Sequence, residues 1–242
     1  MNRFFVEQKQ IDGHSAIITG EDVAHITRVL RMNPGDALTL CDGACTQYEG
    51  RILSVGDTVQ VALGEPEWCP AELPYQITLL QGLPKAGKME AIIQKCVELG
   101  VYAVQPVAAA RSVVRVAEKE FEKKRTRYQK VAVEAAKQSR RGVLPKVHGL
   151  LPFAGLAYAA YDLLVVLDEE EQVCTLRACL ESMPKRPDRI GVVIGPEGGL
   201  AREEAACLRA AGGRTVTLGK RILRTETAGM AALAMLQYAL GE

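Results

Sequence analysis

A stretch near the middle of the chain has the spacing of a phosphate-binding loop. Gly82, Gly87 and Lys88 follow an apolar run in the order G-x-x-x-x-G-K; in such loops, backbone amides and the lysine hold the phosphates of a nucleotide. The next residue is Met89, where the loop requires a Ser or Thr hydroxyl as a magnesium ligand. A thioether is a poor ligand for this hard cation, which prefers oxygen. Met89 therefore argues against an ATPase or GTPase, which remains an alternative.

Two further stretches place glycines and polar residues directly after apolar strands. The first is GPEGGL, residues 195–200. Its three glycines let backbone groups approach a ligand closely, although such a loop also makes a tight turn from strand to helix. The second is GKRILRTETAGMAAL, residues 219–233, in which Arg224 and Glu226 precede a helical run of small apolar residues. A threonine on either side of Glu226 can cap that helix, but capping does not account for Arg224 and Glu226.

These stretches lie in the second of two regions with different patterns. Short β-rich segments with Gly and Asp turn signals fill residues 1–64, interrupted by one helix at about 21–30, which predicts a small β-barrel. The segment 65–74 contains three prolines and is expected to be a linker. Beyond it, near-continuous apolar strands alternate with amphipathic helices, one of them near Leu156. This alternation predicts an α/β fold with a mostly parallel sheet. We expect two domains, 1–70 and 71–242.

Composition narrows the classes of protein that the chain can represent. It has 242 residues, 48% of them hydrophobic and 24% charged, as in ordinary globular proteins. We expect a cytoplasmic protein because neither a signal peptide nor a membrane span is apparent. The seven cysteines form no C-x-x-C pair and the three histidines lie far apart, so we expect neither disulfides nor a metal site.

Charge is concentrated in one part of the chain. The formal net charge is +1, yet residues 118–141 carry nine basic and four acidic side chains, or +5. Such asymmetry indicates a localised anionic partner, with nucleic acid as the leading candidate. A solvated helix face would explain the same pattern equally well.

The motifs together resemble one family. VVIGPEGGLAREE and LGKRILRTETAGMAAL are similar to the two C-terminal motifs of the SPOUT methyltransferases of the RsmE type, and the resemblance extends to HITRVLRMNPGD, KMEAIIQKCVELGVYAVQPV, ARSVV and AAKQSRRGVLPKV. These enzymes methylate a uridine at N3 in small-subunit, 16S ribosomal RNA. One departure is visible, because the family usually has Glu-Gln-Ser-Gly-Arg where this chain has residues 137–141, Lys-Gln-Ser-Arg-Arg.

The resemblance implies a fold, a cofactor and a set of site residues. The fold is a PUA-like N-terminal barrel and a C-terminal domain with a trefoil knot, in a homodimer. The cofactor is S-adenosyl-L-methionine, without a metal. Arg224 and Glu226 become candidates for catalysis. The candidates for cofactor binding are Leu167, Gly195, Pro196, Glu197, Gly198, Gly199, Leu218, Gly219, Ile222, Leu223 and Thr225.

The same resemblance identifies 16S ribosomal RNA, within the 30S subunit, as the partner of the basic residues. Arg28 and Arg31 are three apart on one predicted helix and so share a face. The full set of candidate RNA contacts is Arg28, Arg31, Lys85, Lys88, Arg111, Arg115, Gln138, Arg140 and Arg141. A non-catalytic RNA-binding or ribosome-assembly factor of the same fold is a further alternative.

Overall fold

The computed structural model of the chain describes residues 2–85, 87–114, 116 and 118–241. The chain forms two compact units. The first consists of Met1–Glu72 together with Ala136–Leu144, and the second of Leu73–Ala135 together with Pro145–Glu242. The segment Ala136–Leu144 thus joins the N-terminal residues, although it lies far from them in the sequence.

A six-stranded sheet forms the first unit. Its strands are β1 (Asn2–Phe5), β2 (Ile11–Asp12), β3 (Ser15–Ile18), β4 (Ala37–Cys41), β5 (Thr46–Val55) and β6 (Val59–Trp68), in the order β1-β4-β5-β6-β3-β2. The pair β1 and β4 is parallel and the other pairs are antiparallel. Alternate residues of these strands face inward and form a core with Phe4, Ile18, Ile26, Leu38, Leu40, Ile52, Val59 and Val61.

The helix expected at about 21–30 is present in a modified form. An α-helical turn, α1 (Glu21–Ala24), continues as a π-helical turn over residues 25–29. The linker prediction is partly wrong, because residues 65–68 continue β6, and Pro66 lies opposite Tyr48 of β5. On its other side β6 is paired with β3 only as far as Ala62, so Pro66 lies where the strand has a free edge and its missing N–H does no harm.

A parallel seven-stranded sheet forms the second unit. Its strands are β7 (Gln76–Gly82), β8 (Ala103–Ala108), β9 (Lys146–Val147), β10 (Leu151–Pro152), β11 (Leu163–Leu167), β12 (Arg189–Ile194) and β13 (Arg214–Val216). The order is β10-β8-β7-β12-β11-β13, with β9 beside β8. The remaining helices are α2 (Lys88–Glu98), α3 (Glu118–Gln138), α4 (Leu176–Glu181), α5 (Arg202–Ala210) and α6 (Thr225–Leu240). The predicted α/β class with a mostly parallel sheet is confirmed, and the trefoil knot stays a prediction.

The helix expected near Leu156 is wrong. Only two short 3-10 turns occur there, Phe153–Gly155 and Tyr158–Ala160, and Leu156 between them is extended, with ψ 139°. The Tyr158 hydroxyl donates to the carbonyl of Phe153 at 2.6 Å, and Phe153 is buried in a core cluster with Leu208 of α5. Tertiary packing of this aromatic side chain therefore overrides the helical propensity of the alanines.

Helix α3 ends in a turn that places Arg140 in a left-handed conformation, with φ 59°. The N–H of Arg140 donates to the carbonyl of Lys137, and the N–H of Arg141 donates to that of Ala136 at 2.9 Å. This is the position at which helices usually carry glycine, because a Cβ makes the left-handed conformation unfavourable. The family resemblance places glycine here too, so this chain tolerates a strained arginine.

Replacing Arg140 by glycine should stabilise the protein. We expect a gain of about 0.5–1 kcal/mol in the free energy of unfolding, because relief of left-handed strain exceeds the entropy that glycine adds to the unfolded chain. The measurement is a denaturant titration of both proteins. The matched control is Arg140→Ala, which removes the charge and keeps the strain. Equal stabilisation by alanine would attribute the gain to charge and contradict the backbone explanation.

Candidate functional site

Four neighbouring strands of the second unit end at the same edge of the parallel sheet. Strands β7, β12, β11 and β13 lie side by side, with Gln81 opposite Ile194 and Leu167 opposite Val216. The turn 195–199 follows β12, and the loop 217–224 follows β13 and leads into α6. Parallel sheets bind ligands beyond the carboxyl ends of their strands. The predicted cofactor and catalytic residues therefore come from segments that share this edge.

The glycine turn after β12 has little room for side chains. The N–H of Gly199 donates to the carbonyl of Pro196 at 2.9 Å, and Gly199 has φ 69°. A Cβ on Gly195 would lie 2.9 Å from the carbonyl carbon of Gly199. A Cβ on Gly82, at the end of β7, would lie 2.7 Å from the nitrogen of Pro196. Backbone therefore packs directly on backbone, which fixes the turn against the neighbouring strand end.

An ammonium between two carboxylates joins three segments of the site. The Nζ of Lys88, the first residue of α2, lies 3.1 Å from Oε1 of Glu197 in the glycine turn and 3.0 Å from Oε2 of Glu226 in α6. The N–H of Lys85 also donates to the Glu197 carboxylate, at 3.1 and 3.2 Å from its two oxygens. Between 22% and 32% of each of the three charged side chains is exposed. One cation and two anions give the cluster a net charge of −1.

The pKa of each group in the cluster is shifted in the direction that favours its charged form. The backbone N–H of Glu226 itself and then the Lys88 ammonium hold the pKa of the Glu226 carboxyl below its ordinary value. Burial opposes ionisation of Glu197, but hydrogen bonds from its own N–H, from the Lys85 N–H and from Lys88 outweigh it and lower the pKa. Hydrogen bonds to Glu226 and Glu197 raise the pKa of Lys88. All three groups are thus ionised at neutral pH.

The start of α6 differs from the capping arrangement considered from the sequence. Arg224 precedes the helix, and its carbonyl accepts from the N–H groups of Thr227 and Ala228 at 2.8 and 2.9 Å. Thr225 is the first helical residue, and its buried hydroxyl donates to the carbonyl of Gly195 at 2.7 Å. Thr225 is therefore not the cap. Its hydroxyl instead ties the helix start to the glycine turn.

The far side of the glycine turn is held by the segment after β8. Nη1 of Arg111 donates to the carbonyl of Gly198 at 3.2 Å. The Glu204 carboxylate accepts from the N–H of Ala110 at 2.7 Å and from the N–H of Ala201 at 2.9 Å. Five segments of the second unit thus meet at this edge: the start of α2, the segment after β8, the glycine turn, the start of α5 and the start of α6. Contacts with the other segments therefore hold the glycine turn in place.

Comparison with known proteins identifies the family. A family described as an RNA methyltransferase domain matches residues 71–237, and one described as an RNA methyltransferase PUA domain matches residues 18–72. The chain belongs to this family of RNA methyltransferases. The resemblance drawn from the motifs is confirmed, as is the α/β fold class with a PUA-like N-terminal domain.

Relatives cover nearly the whole chain. A Bacillus subtilis (strain 168) protein named "Ribosomal RNA small subunit methyltransferase E" is 40% identical over 249 residues, covering 98% of this chain and 96% of the relative. A Synechocystis protein of the same name is 32% identical, covering 98% and 78%. The crystal structure of a "Ribosomal RNA small subunit methyltransferase E from Neisseria gonorrhoeae bound to S-adenosyl methionine" has 30% identity and a TM-score of 0.83, covering 98% and 97%.

The predicted RNA contacts of this methyltransferase occupy different environments. Lys85 and Arg111 are exposed in the second unit. In the first unit Arg28, Arg31, Gln138 and Arg140 are exposed. Arg115 lies outside the described residues. Lys88 pairs with two carboxylates. Its main partners are therefore side chains of the site and not RNA phosphates, which the sequence analysis had predicted.

Arg141 requires a correction. Its side chain is 3% exposed and pairs with Glu72, which is 5% exposed, with 2.8 Å between Nε and Oε1. Glu72 also accepts from the N–H groups of Gly142 and Val143, at 2.7 and 3.0 Å. A buried arginine held in this way cannot reach an RNA phosphate, and it instead anchors the segment after α3 within the first unit.

The basic stretch in α3 is less positive than its sequence suggests. Lys124 and Arg125 pair with Glu120 and Glu122 of the same helix. Arg127 pairs with Glu90, and Lys137 pairs with Asp22 at 2.8 Å. Glu120 and Glu122 are already counted in the +5, whereas Glu90 and Asp22 lie outside the stretch and balance two of its positive charges. These pairs favour the interpretation as a solvated helix face over part of its length.

The phosphate-loop alternative does not fit the structure. Met89 is 3% exposed and belongs to the core, so it cannot face a bound magnesium ion. The Lys85 amide and the Lys88 ammonium, which a nucleotide would need, both bind carboxylates of this protein. Among the described residues, no group of three or more His, Cys, Asp or Glu side chains could hold a metal ion, and no helix is long and apolar enough to cross a membrane.

Sequence reasoning missed two features of the site. It predicted Glu197 as a cofactor contact but did not predict that the Glu197 side chain pairs with Lys88. It also gave no role to Gln81, which is fully buried beside Thr225. The one available signal for Gln81 was a polar residue at the carboxyl end of an otherwise apolar strand, which is the edge at which open α/β sheets bind ligands.

Proposed function

We propose that this protein transfers the methyl group of S-adenosylmethionine to N3 of a uridine in small-subunit, 16S ribosomal RNA. The observation that carries the proposal is the cluster of Lys88, Glu197 and Glu226 beside the glycine turn, at the carboxyl edge of the parallel sheet. The names of the relatives support ribosomal RNA as the substrate class, and the neighbour bound to S-adenosylmethionine supports the cofactor.

The residues at the sheet edge fit this cofactor. Bound S-adenosylmethionine supplies an electrophilic methyl group on a sulfonium cation, and the net charge of −1 on the cluster complements a cation. Gly219 has φ 125°, and apart from its chain neighbours no described residue has an atom within 4 Å of the position that a Cβ would take, so its backbone is open to a ligand. Ile222 is 82% exposed and offers an apolar surface to an adenosine. The proposed binding residues are Leu167, Gly195, Pro196, Glu197, Gly198, Gly199, Leu218, Gly219, Ile222, Leu223 and Thr225.

The chain has two tasks in the chemical step. It must hold uridine N3 in line with the methyl group, and positioning of this kind contributes on the order of 7 to 11 kcal/mol. It must also accept the N3 proton and stabilise charge on the uracil oxygens. Glu226 is ionised at neutral pH and is the proposed acceptor of the proton, either directly or through an ordered water. Arg224, exposed just before α6, is the proposed cation.

Replacing Lys88 by methionine should lower the rate and shift its pH dependence. Without the ammonium, the pKa of Glu226 rises toward that of an ordinary glutamate. The wild-type rate should fall only as the pH drops through the lowered pKa, and the rate of Lys88→Met should fall at higher pH. We expect kcat to decrease about tenfold or more because Glu226 also loses a positioning partner. Rates measured from pH 4 upward, with Lys88→Arg as the charge-preserving control, test this; an unchanged acid limb would contradict it.

Two groups of polar and basic residues are the proposed RNA contacts. Lys85 and Arg111 lie beside the glycine turn in the second unit, and we retain Arg115 with them. Arg28, Arg31, Gln138 and Arg140 lie on the first unit. Phosphate contacts of this kind set affinity and its salt dependence. Single alanine variants of the arginines and of Lys85 should therefore weaken RNA binding and reduce the salt slope, whereas Gln138→Ala should weaken binding without changing the slope. Unchanged binding would remove a residue from the set.

A homodimer is the proposed functional state. Helix α6 exposes apolar side chains that a monomer would leave in water, with Met235 42% and Tyr238 88% exposed. An exposed tyrosine beside a methionine is typical of protein interfaces. Sedimentation equilibrium of the purified protein tests the proposal, and a single species of about monomer mass at micromolar concentration would reject it.

Transfer of tritiated methyl groups tests the proposed function. The substrates are 30S particles and free 16S RNA from a strain without the modification, and nucleoside mapping identifies the modified atom. We expect 3-methyluridine, formed on the 30S subunit in the cytoplasm.

Calorimetric titration with S-adenosylmethionine and with ATP separates the alternative functions. A methyltransferase should bind S-adenosylmethionine and should not bind ATP. Failure to bind S-adenosylmethionine, with RNA binding intact, would favour a non-catalytic RNA-binding factor.

A further inference from the structure

A buried amide lies behind the proposed methyl-donor site. The Gln81 side chain is fully buried near the end of β7. Its Nε2 donates to the carbonyl of Gly82 at 3.0 Å and to Oγ1 of Thr225 at 2.9 Å. Thr225 in turn donates to the carbonyl of Gly195 at 2.7 Å. The three groups form a relay from β7 through the first residue of α6 to the first residue of the glycine turn.

The direction of the relay follows from its chemistry. A carbonyl oxygen only accepts, so Gly195 requires the hydroxyl hydrogen of Thr225. Oγ1 of Thr225 can then only accept from Gln81, and the carbonyl of Gly82 also needs a donor. Both partners thus require the NH₂ group, which fixes the orientation of the amide. A carboxylate at position 81 could make neither bond.

Stability alone does not explain an amide at this position. Oε1 of Gln81 is buried and has no hydrogen-bond partner among the described residues. Buried polar atoms of this kind are uncommon, because an unpaired acceptor is costly to remove from water. An apolar side chain of similar volume would fill the space without that cost. The role of Gln81 therefore lies in the two hydrogen bonds that its NH₂ group donates.

The relay connects the glycine turn with the start of α6. Gly195 opens the turn that contains Glu197, and Thr225 lies between Arg224 and Glu226. We infer that Gln81 is a positioning residue, which acts through Thr225 to hold the glycine turn and the start of α6 in the geometry that binds the methyl donor. This inference rests on the proposed function, in which the turn and the helix start contact the donor and the uridine.

The test compares variants that break the relay at different points. Gln81→Leu removes the amide, Thr225→Val removes the hydroxyl at nearly constant shape, and Thr225→Ser restores the hydroxyl. The matched control is Gln105→Leu: Gln105 is a buried glutamine on neighbouring β8 whose amide donates to the carbonyls of Pro106 and Gly149 at 2.8 and 2.7 Å, outside the relay. The dissociation constant of S-adenosylmethionine, kcat, KM for RNA and the unfolding midpoint are measured for each.

We expect Gln81→Leu and Thr225→Val to weaken methyl-donor binding by about 10- to 100-fold, as loss of supporting hydrogen bonds does in other sites. Thr225→Ser should recover most of the affinity that Thr225→Val loses, and Gln105→Leu should retain wild-type affinity. The double variant of Gln81→Leu and Thr225→Val should bind S-adenosylmethionine about as well as the single variant with the lower affinity, because both changes break the same relay.

Two outcomes would overturn the inference. One is a fall in the unfolding midpoint with methyl-donor affinity and kcat unchanged, which would make Gln81 merely structural. The other is additive losses in the double variant, which would show that Gln81 does not act through Thr225. If Gln81→Leu does not fold, Thr225→Val and its serine rescue still decide. A wild-type protein that does not bind S-adenosylmethionine would instead reject the proposed function itself.

Discussion

Arg224→Ala should reduce methyl transfer by about 10²–10³-fold, the loss typical when one group that stabilises developing negative charge is removed. The proposed role of Arg224 is to stabilise charge on the uracil oxygens as N3 loses its proton. Its structural role is carried by the backbone, since its carbonyl caps the N–H groups of Thr227 and Ala228. The side chain is exposed, so alanine should change the free energy of unfolding by no more than about 0.5 kcal/mol.

Steady-state transfer rates and a denaturant titration check both parts of this prediction. Arg224→Lys keeps the charge without the planar guanidinium and should recover part of the rate. Arg221→Ala removes an exposed cation from the same loop and controls for the overall charge. Full activity of Arg224→Ala would discard the assigned role, and an equal loss in Arg221→Ala would attribute the effect to charge alone.

The second large effect is expected for Gly195→Ala, which should weaken binding of S-adenosylmethionine by about 10²-fold. The new Cβ would lie 2.9 Å from the carbonyl carbon of Gly199 and 3.1 Å from the nitrogen of Leu200. Both are backbone atoms, so the glycine turn must move to relieve the overlap. A displacement of about 1 Å in a positioning segment is enough for a loss of this size.

Calorimetric titration with S-adenosylmethionine, with sinefungin as a competitor, measures this loss. The matched control is Gly155→Ala in the same unit, where the nearest atom would lie at 3.5 Å, an ordinary contact distance. The control should bind like the wild type. Wild-type affinity in Gly195→Ala would show that the turn does not shape the methyl-donor site.

Local sequence patterns were sufficient for the fold class and for the strand and turn at which the proposed site lies. The apolar run before residue 195 is long enough for a buried strand, and the glycines after it end that strand, so RIGVVI followed by GPEGG correctly located β12 and its turn. The run of small apolar residues after Glu226 likewise indicated the last helix, which the structure shows at Thr225–Leu240. Local patterns failed at Leu156, where the packing of Phe153 against α5 outweighs helical propensity.

The roles of individual charged residues were decided by tertiary structure. Arg140 and Arg141 are neighbours with the same charge, yet Arg140 is exposed and Arg141 is buried against Glu72, a partner 69 residues away. Lys88 belongs to a motif that suggests phosphate binding, but its partner Glu226 lies 138 residues further along the chain. Electrostatic interactions act over a few ångströms in space and not along the sequence, so only the folded chain determines which charges neutralise each other.

The alternation of strands and helices and the glycine turn could thus be predicted from the chain alone, because these features depend on side-chain periodicity and on backbone freedom within a few residues. Only the tertiary structure decided that Glu197, Glu226 and Lys88 meet, and that Gln81 supports Thr225 and Gly195. Those contacts join segments that follow different strands and are distant in the chain. They meet because β7 and β12 are neighbours in the sheet although they are far apart in the sequence, and because α6 starts beside the glycine turn that follows β12.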